Sequence, residues 1–455
     1  MSERPLRVAV VGSGPAGFYA ANALLTADPP AEVDMIERLP TPWGLVRLGV
    51  APDHPKLKDV SRAFERTALR PGFRFFGNVE VGEAVTHDDL VRHYDAVIYT
   101  VGAQTDNRLG VPGEELPGSW SATQFVAWYN GHPDFQDLEF DLSGERAVVV
   151  GAGNVALDVA RMLALTREEL APTDTTDRAI DAISDSGIRE IVVLARRGPA
   201  QAAFTTPELK ELGELAGADV VVDPAELELD AASASSLGGN TNATRNMEVL
   251  REFASREPAG KPRRIVLRFL VSPVAILGDD RVTGVETVQN ELVAEGDRIT
   301  ARATDRRETI PAGIVFRSVG YRGVALPGLP FDAARGTLLN DSGRVLDEGG
   351  APLAGVYCAG WIKRGPTGVI GTNKKDANET VQLLLEDAAA DRLPGATEPL
   401  DLADVLAERG GDPIVYAGWE EIDRVEKAAG EPHGRPRVKL HSWEDLLAAA
   451  RPDPS

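Results

Sequence analysis

The sequence predicts an α/β protein of two related units, the second inserted into the first, and three observations carry that prediction. The first is an internal repeat. Val8-Ala-Val-Val-Gly12-Ser-Gly14-Pro-Ala-Gly17 is matched by Ala147-Val-Val-Val-Gly151-Ala-Gly153-Asn-Val-Ala156. In each, a β-branched run meets a Gly-x-Gly turn and then a helical pattern, Phe18–Leu25 or Leu157–Leu165. This is the strand–turn–helix of a Rossmann-like dinucleotide-binding domain. The second observation is a pair of buried-strand runs that close the two units, Asp95–Gly102 and Gly313–Gly320. The third is Gly355-Val-Tyr-Cys-Ala-Gly360, a run of the same character beyond the second unit. The chain therefore starts one domain, inserts another and returns. The expected limits are 1–106 and 325–455 for the first domain and 107–324 for the insert.

Each element follows from local chemistry. Gly12 and Gly151 permit the tight turn, Gly14 and Gly153 let the backbone approach a pyrophosphate, and Gly17 or Ala156 allows close helix packing. The helix N-terminus supplies N–H groups and partial positive charge to the phosphates. Val33-Asp-Met-Ile-Glu37 reads as the next strand, and its terminal acid suits a ribose with a free 2′-OH, which FAD and NAD both have. In the second unit the corresponding strand, Glu190–Ala195, ends instead in Arg196-Arg197. Two guanidiniums there suit a 2′-phosphate, hence NADP(H). An extra helical excursion is expected around Arg167–Gly187. Ile265–Val271, Val282–Val288 and Ile299–Ala303 read as a small antiparallel sheet. The tail carries helical patterns around Leu402–Arg409, Trp419–Ala429 and Trp443–Ala450.

Composition narrows the chemistry. Among 455 residues there are 70 acids against 48 bases, a net charge of −22, which argues against general nucleic-acid binding. No stretch approaches the length of apolar chain that a membrane helix needs. The strand-like run beginning by Arg7 leaves no room for a leader peptide, and a single cysteine fits the cytoplasm. That lone residue, Cys358, excludes an internal disulfide, a dithiol redox pair and a Cys-ligated cluster within the chain. It sits in an apolar strand pattern, as a buried inert thiol would. Redox chemistry must therefore run on bound cofactors. Two different dinucleotides on one chain imply transfer between them, from NADPH on the insert to a flavin on the first domain.

At Pro42-Trp-Gly-Leu-Val-Arg47 and Val50-Ala-Pro-Asp-His-Pro55 the sequence resembles the adrenodoxin reductase family, most closely its bacterial ferredoxin–NADP reductase branch. Supporting blocks are Arg196-Arg-Gly-Pro199 leading to Phe204–Leu209, the run Gly360–Lys375, and Gly430–Lys439. The resemblance covers nearly the whole chain. It implies a glutathione-reductase-like arrangement and an enzyme with FAD and NADPH that reduces a small iron–sulfur protein. Carried over, the FAD site comprises Gly12, Ser13, Gly14, Ala16, Gly17, Glu37, Leu45, Val81, Trp361, Gly368, Val369 and Ile370. The NADP site comprises Arg108, Gly151, Gly153, Asn154, Val155, Arg196, Arg197, Glu208 and Gly368. His54 and Glu211 resemble residues that the family places near the nicotinamide–flavin contact, to shuttle a proton or orient the ring.

The electron acceptor poses an electrostatic problem, because ferredoxins are usually acidic and so is this chain. A local basic patch must do the steering. Arg245 and Arg251 on an expected helix are the first choice, with Arg256, Lys261, Arg263, Arg264 and Arg268 near them. A second cluster is Lys56, Lys58, Arg62, Arg66 and Arg70. Two other readings share the same cofactors: an NADPH diaphorase or quinone reductase, and an electron-entry flavoprotein subunit of a larger complex.

Overall fold

The computed structural model describes residues 4–451 apart from 231–232, 235–236, 238, 296–297 and 369. It divides into two compact units: Met1–Thr105, Asn130–Pro133 and Gly320–Ser455 in one, Asp106–Tyr129 and Asp134–Val319 in the other. The second boundary thus falls at Val319/Gly320 rather than 324. The turn Asn130–Pro133 joins the first unit, where the fully buried Asn130 offers its Oδ1 to the buried Lys439 Nζ at 3.2 Å.

The first unit is built on a seven-stranded sheet in the order Asn340–Asp341, Arg344–Leu346, Pro352–Cys358, Ala96–Tyr99, Arg7–Val11, Glu32–Ile36, Phe73–Phe76. From Pro352–Cys358 onward the strands are parallel, with Val8 beside both Ala96 and Val33. Their apolar runs are buried on both faces, as parallel strands require. Helix Pro15–Leu25 packs on the long helix Ile370–Ala389. Phe18, Trp43 and Phe64 form an aromatic cluster, with centroids 4.7 and 5.0 Å from Phe18. The tail helices Leu402–Glu408, Tyr416–Gly430 and Trp443–Ala449 belong to this unit; Trp419, Ile422 and Leu446 share a core with Val8, Phe18 and Trp43. Cys358 is fully buried, and burial pushes its thiol up to about 12.

The second unit has a six-stranded parallel sheet, ordered Ser119–Ser121, Ile314–Arg317, Arg146–Val150, Glu190–Ala195, Arg263–Phe269, Ala218–Val222. The expected excursion contains helices Arg167–Leu170 and Asp177–Ser184. The strand expected over Ile265–Val271 divides. Arg263–Phe269 is an inner strand of the parallel sheet, and Leu270, at φ 58°, turns the chain into Val271–Leu277. That strand opens a three-stranded antiparallel sheet continued by Gly284–Glu295 and Arg298–Pro311, both longer than expected. A single left-handed residue between two apolar runs is invisible to periodicity, so the two strands read as one. Among the described residues no helix is long and apolar enough to cross a membrane.

Candidate nucleotide sites

In each unit the glycine loop leaves the carboxyl end of a central parallel strand, the place where open α/β sheets bind ligands. In the first unit Gly12 has φ 100°, and a Cβ there would stand 2.8 Å from the Thr100 carbonyl oxygen. One on Gly17 would stand 2.1 Å from the Gly12 oxygen. The protein itself therefore requires those two glycines. Gly14 differs, because a Cβ there would meet nothing within 4 Å. Its bareness is unexplained by packing and leaves the start of helix Pro15–Leu25 open to a ligand, with Pro15 at its first turn.

The surrounding groups brace this loop. Thr100 Oγ1 donates to the Val11 and Gly12 oxygens at 2.9 and 2.7 Å. Glu37, at its strand end, accepts from the Ser13 N–H at 3.0 Å, the Ser13 hydroxyl at 2.7 Å and the Leu39 N–H at 3.0 Å. A Cβ on Gly44 would lie 2.9 Å from the Gly14 Cα, and one on Gly360 2.7 Å from the Ala16 Cβ. The loop Trp43–Leu45 and the strand-end Gly360-Trp361 thus converge on Gly14–Ala16. Leu45 is 37% exposed beside it. Trp361 packs on Tyr321 in a tilted pair with centroids 5.3 Å apart, and its indole Nε1 is buried without a hydrogen-bond partner among the described residues. A bare glycine and an orphaned donor on one strand-end surface fit a bound dinucleotide. Trp43, by contrast, is core.

Gly368 has φ 81° and precedes Ile370, the first residue of the long helix; Val369 lies outside the described residues. Val81 is half-buried against the cluster containing Val11 and Ile36. His54 is half-buried at the head of the short helix Pro55–Lys58, its N–H donating to the Ala51 oxygen at 3.0 Å.

The second unit repeats the plan. A Cβ on Gly151 would lie 2.2 Å from the Ser318 oxygen, and one on Gly153 would meet nothing within 4 Å. Gly153 caps helix Asn154–Ala164, and Val155 packs on the core. Asn154 Oδ1 accepts from the Thr205 N–H at 2.8 Å, tying the loop to helix Thr206–Leu212. On that helix one carboxylate oxygen of Glu208 is buried without a donor among the described residues. Glu211 accepts from Arg161 at 2.9 Å; this nearly fully buried guanidinium also donates to Asp158 at 2.8 Å. Such a held carboxylate suits orientation better than proton shuttling. Arg196 and Arg197 are both exposed at the end of strand Glu190–Ala195. Arg196 makes no side-chain ion pair or hydrogen bond among the described residues, and Arg197 makes only a 3.4 Å bond to the Gln201 oxygen. Arg108, in contrast, is exposed and paired with Glu115 at 2.6 Å.

The expected docking cations separate by environment. Arg245 and Arg251 are exposed on helix Thr241–Ser255, but so are Glu248 and Glu252, the latter paired with Arg256. The cations that follow are engaged within the fold. Arg263 is buried, its guanidinium capping the carbonyls of Leu163, Leu165 and Ile183. Arg264 pairs with Glu190, Arg268 with Glu226, and Lys261 Nζ donates to the Leu215 oxygen. In the other cluster Lys56, Arg62, Arg66 and Arg70 are exposed and Arg62 pairs with Asp59.

Thr100, Asp376 and Arg161 were not legible as site-building residues. Asp376 is buried, accepts from the Gly360 N–H and pairs with Lys363 at 3.0 Å. All three act through contacts distant in sequence, which no local motif encodes.

Two strand-end glycine loops, one braced by an acid and one followed by arginines that pair with no carboxylate among the described residues, define the class as a pyridine-nucleotide oxidoreductase. Residues 6–197 match the family model described as pyridine nucleotide-disulphide oxidoreductase. The chain is 53% identical to the NADPH-ferredoxin reductase FprA of Mycobacterium tuberculosis over 98% of its length and 99% of the relative's. It is 40% identical to the mitochondrial NADPH:adrenodoxin oxidoreductase of Salvelinus fontinalis, over 98% and 91%. A solved structure of Mycobacterium tuberculosis FprA in complex with NADPH superposes with a TM-score of 0.92 at 51% identity, covering 99% of this chain and all of that one. The chain belongs to the NADPH-ferredoxin reductase family that includes adrenodoxin reductase. The dithiol chemistry in the broader family's name has no basis here, since the one cysteine is buried.

Proposed function

We infer that this protein is an FAD-dependent ferredoxin–NADP reductase that takes a hydride from NADPH and delivers single electrons to a small iron–sulfur protein of the cytoplasm. The observation that carries the reading is the contrast between the two strand ends. Glu37 stands beside the first loop, where it would repel a 2′-phosphate, whereas Arg196 and Arg197 follow the second with exposed guanidiniums that pair with no carboxylate among the described residues. FAD belongs on the first unit and NADP(H) on the second.

Bound FAD would supply the chemistry that links two-electron exchange with NADPH to one-electron exchange with the iron–sulfur partner. The chain's own residues bind and orient. Gly14 admits the pyrophosphate, and Ser13, braced by Glu37, keeps the loop in register. Trp361 offers its indole N–H, and Gly368 and Ile370 belong to the same site. Gly153, Asn154 and Val155 receive the NADP pyrophosphate, Arg196 and Arg197 its 2′-phosphate, and Glu208 a donor of the nucleotide. His54 and Glu211 orient the nicotinamide. Arg245 and Arg251 form the docking edge for an acidic iron–sulfur partner.

The test is a visible spectrum of the purified protein before and after NADPH, followed by turnover with a ferredoxin coupled to cytochrome reduction. A flavin band that bleaches with NADPH, and faster cytochrome reduction with ferredoxin than with a quinone, support the reading. Absence of a bleaching band overturns it.

A further inference from the structure

The antiparallel sheet of the second unit reaches the loop that presents Arg196 and Arg197, and it does so through one buried side chain. Asn290 lies on strand Gly284–Glu295 where the register with Arg298–Pro311 shifts, between Val288 and Asn290. It is 5% exposed. Its Nδ2 donates to the Arg196 carbonyl oxygen and to Ser272 Oγ, each at 2.8 Å. Its backbone N–H donates to the Leu270 oxygen at 2.6 Å, and the Leu270 N–H donates to the Arg197 oxygen at 3.1 Å. Leu292 lies against the next residue, since a Cβ on Gly198 would stand 3.3 Å from its Cδ1. The carbonyls of both arginines are therefore held by the sheet, while their guanidiniums remain exposed and unpaired with any carboxylate among the described residues.

A flexible arginine loses side-chain and backbone freedom when it grips a phosphate. A loop whose backbone is already fixed loses less, so its discrimination for the phosphate is sharper. An Asn donor suits the position: it is neutral, so it adds no charge that would compete with the phosphate, and its two amide hydrogens serve two acceptors at once.

We propose that Asn290 is a specificity-determining positioning residue, which sets the enzyme's preference for the 2′-phosphorylated nucleotide by anchoring the backbone of Arg196. This rests on the reading of Arg196 and Arg197 as the 2′-phosphate site. The consequence is that a residue of the antiparallel sheet, acting through the backbone of Arg196, controls discrimination between NADPH and NADH.

The experiment measures binding of 2′,5′-ADP and of 5′-AMP to the full-length holoprotein by calorimetry, with KM for NADPH and NADH in ferricyanide reduction. The variants are Asn290→Ala, Asn290→Leu and the double variant Arg196→Ala/Arg197→Ala. Leu keeps the branching of Asn without the donor at a larger volume and Ala removes the donor at a smaller one, so the two variants bracket the size of the site and one serves if the other fails to fold. Both Asn290 variants should weaken 2′,5′-ADP by roughly five- to tenfold, the loss of about one hydrogen bond. KM for NADPH should rise in parallel, with 5′-AMP binding, KM for NADH and kcat unchanged. Equal weakening of both nucleotides, or none, in variants whose arginine-pair control loses 2′,5′-ADP binding, overturns the role of Asn290. Undiminished 2′,5′-ADP binding in the arginine pair variant itself overturns the phosphate assignment on which it rests.

Discussion

Glu426→Gln is the most severe single-atom-scale change the structure identifies outside the glycine loops. Glu426 is fully buried. Its carboxylate accepts the fork of Arg47 at 2.8 and 2.5 Å, Arg437 at 2.9 Å and the Leu440 N–H at 2.9 Å. The Arg47 side chain is only 4% exposed. Burial alone would raise the Glu426 carboxyl, but Arg47 and Arg437 outweigh it and hold it below its ordinary 4.5. Glutamine keeps the shape and removes the charge, leaving the Arg47 guanidinium buried without its counter-ion. Breaking a buried pair from one side costs about 3–5 kcal/mol. For a unit of this size, each kcal/mol lowers the midpoint by about 2–4 °C, so the first unit's thermal transition should fall by roughly 6–20 °C. Because Arg47 follows Gly44, which lies on Gly14, flavin should also be released faster. Replacing both partners, Arg47→Met with Glu426→Met, should recover most of the loss, since Arg437 retains Asp423 at 2.8 Å. A carboxyl depressed on folding stabilises above its unfolded pKa and loses that contribution as pH falls through the folded value. The gap between wild type and variant should thus be constant from neutral pH down to about 5 and close in acid. Differential scanning fluorimetry across pH measures this. A shift of less than about 2 °C at pH 7 would refute the reasoning.

Other consequences are as direct. Arg196→Ala with Arg197→Ala should raise KM for NADPH by about ten- to a hundredfold, charge-assisted bonds being worth about 1.5–3 kcal/mol each, and leave KM for NADH nearly unchanged; steady-state kinetics with both nucleotides decides it. Arg245→Glu with Arg251→Glu should raise KM for ferredoxin in the cytochrome-coupled assay while NADPH–ferricyanide activity stays intact, and equal loss in both assays would remove the docking role. Gly14→Val should yield folded protein without flavin, because a side chain there strikes only the ligand, whereas Gly12→Ala should fail to accumulate, its Cβ being driven against the Thr100 carbonyl. Soluble yield checks the Gly12 variant, and the visible spectrum with circular dichroism checks the Gly14 variant.

Much of the candidate site was legible because its chemistry is local. Gly12, Gly14, Gly151 and Gly153 sit in short motifs whose backbone needs are written in glycine. Glu37 and Arg196-Arg197 each close an apolar strand, so their place at a carboxyl end followed from strand period alone. What could not be read is whether a charge is free or spent. Arg263, Arg264 and Arg268 look like surface cations in a list of letters. The fold buries the first among helix-end carbonyls and pairs the others with Glu190 and Glu226. Glu211, expected either to shuttle a proton or to orient the ring, is held by the buried Arg161 of another helix, a partner that no local pattern announces.

By itself, then, the sequence determined the two Rossmann-like folds and the insertion of one into the other, and it supplied the contrast of charge at the two strand ends on which the nucleotide proposal rests. These rest on strand alternation, glycine geometry and the sign of a terminal charge, all of which act within a few residues. The tertiary structure alone decided which charges remain available and what holds the loops in place. Glu426 beneath Arg47 and Asn290 beneath Arg196 join segments 379 and 94 residues apart, and Asp376 reaches back 16 residues to Gly360. Pairing and burial of that kind depend on three-dimensional proximity, which no local pattern records.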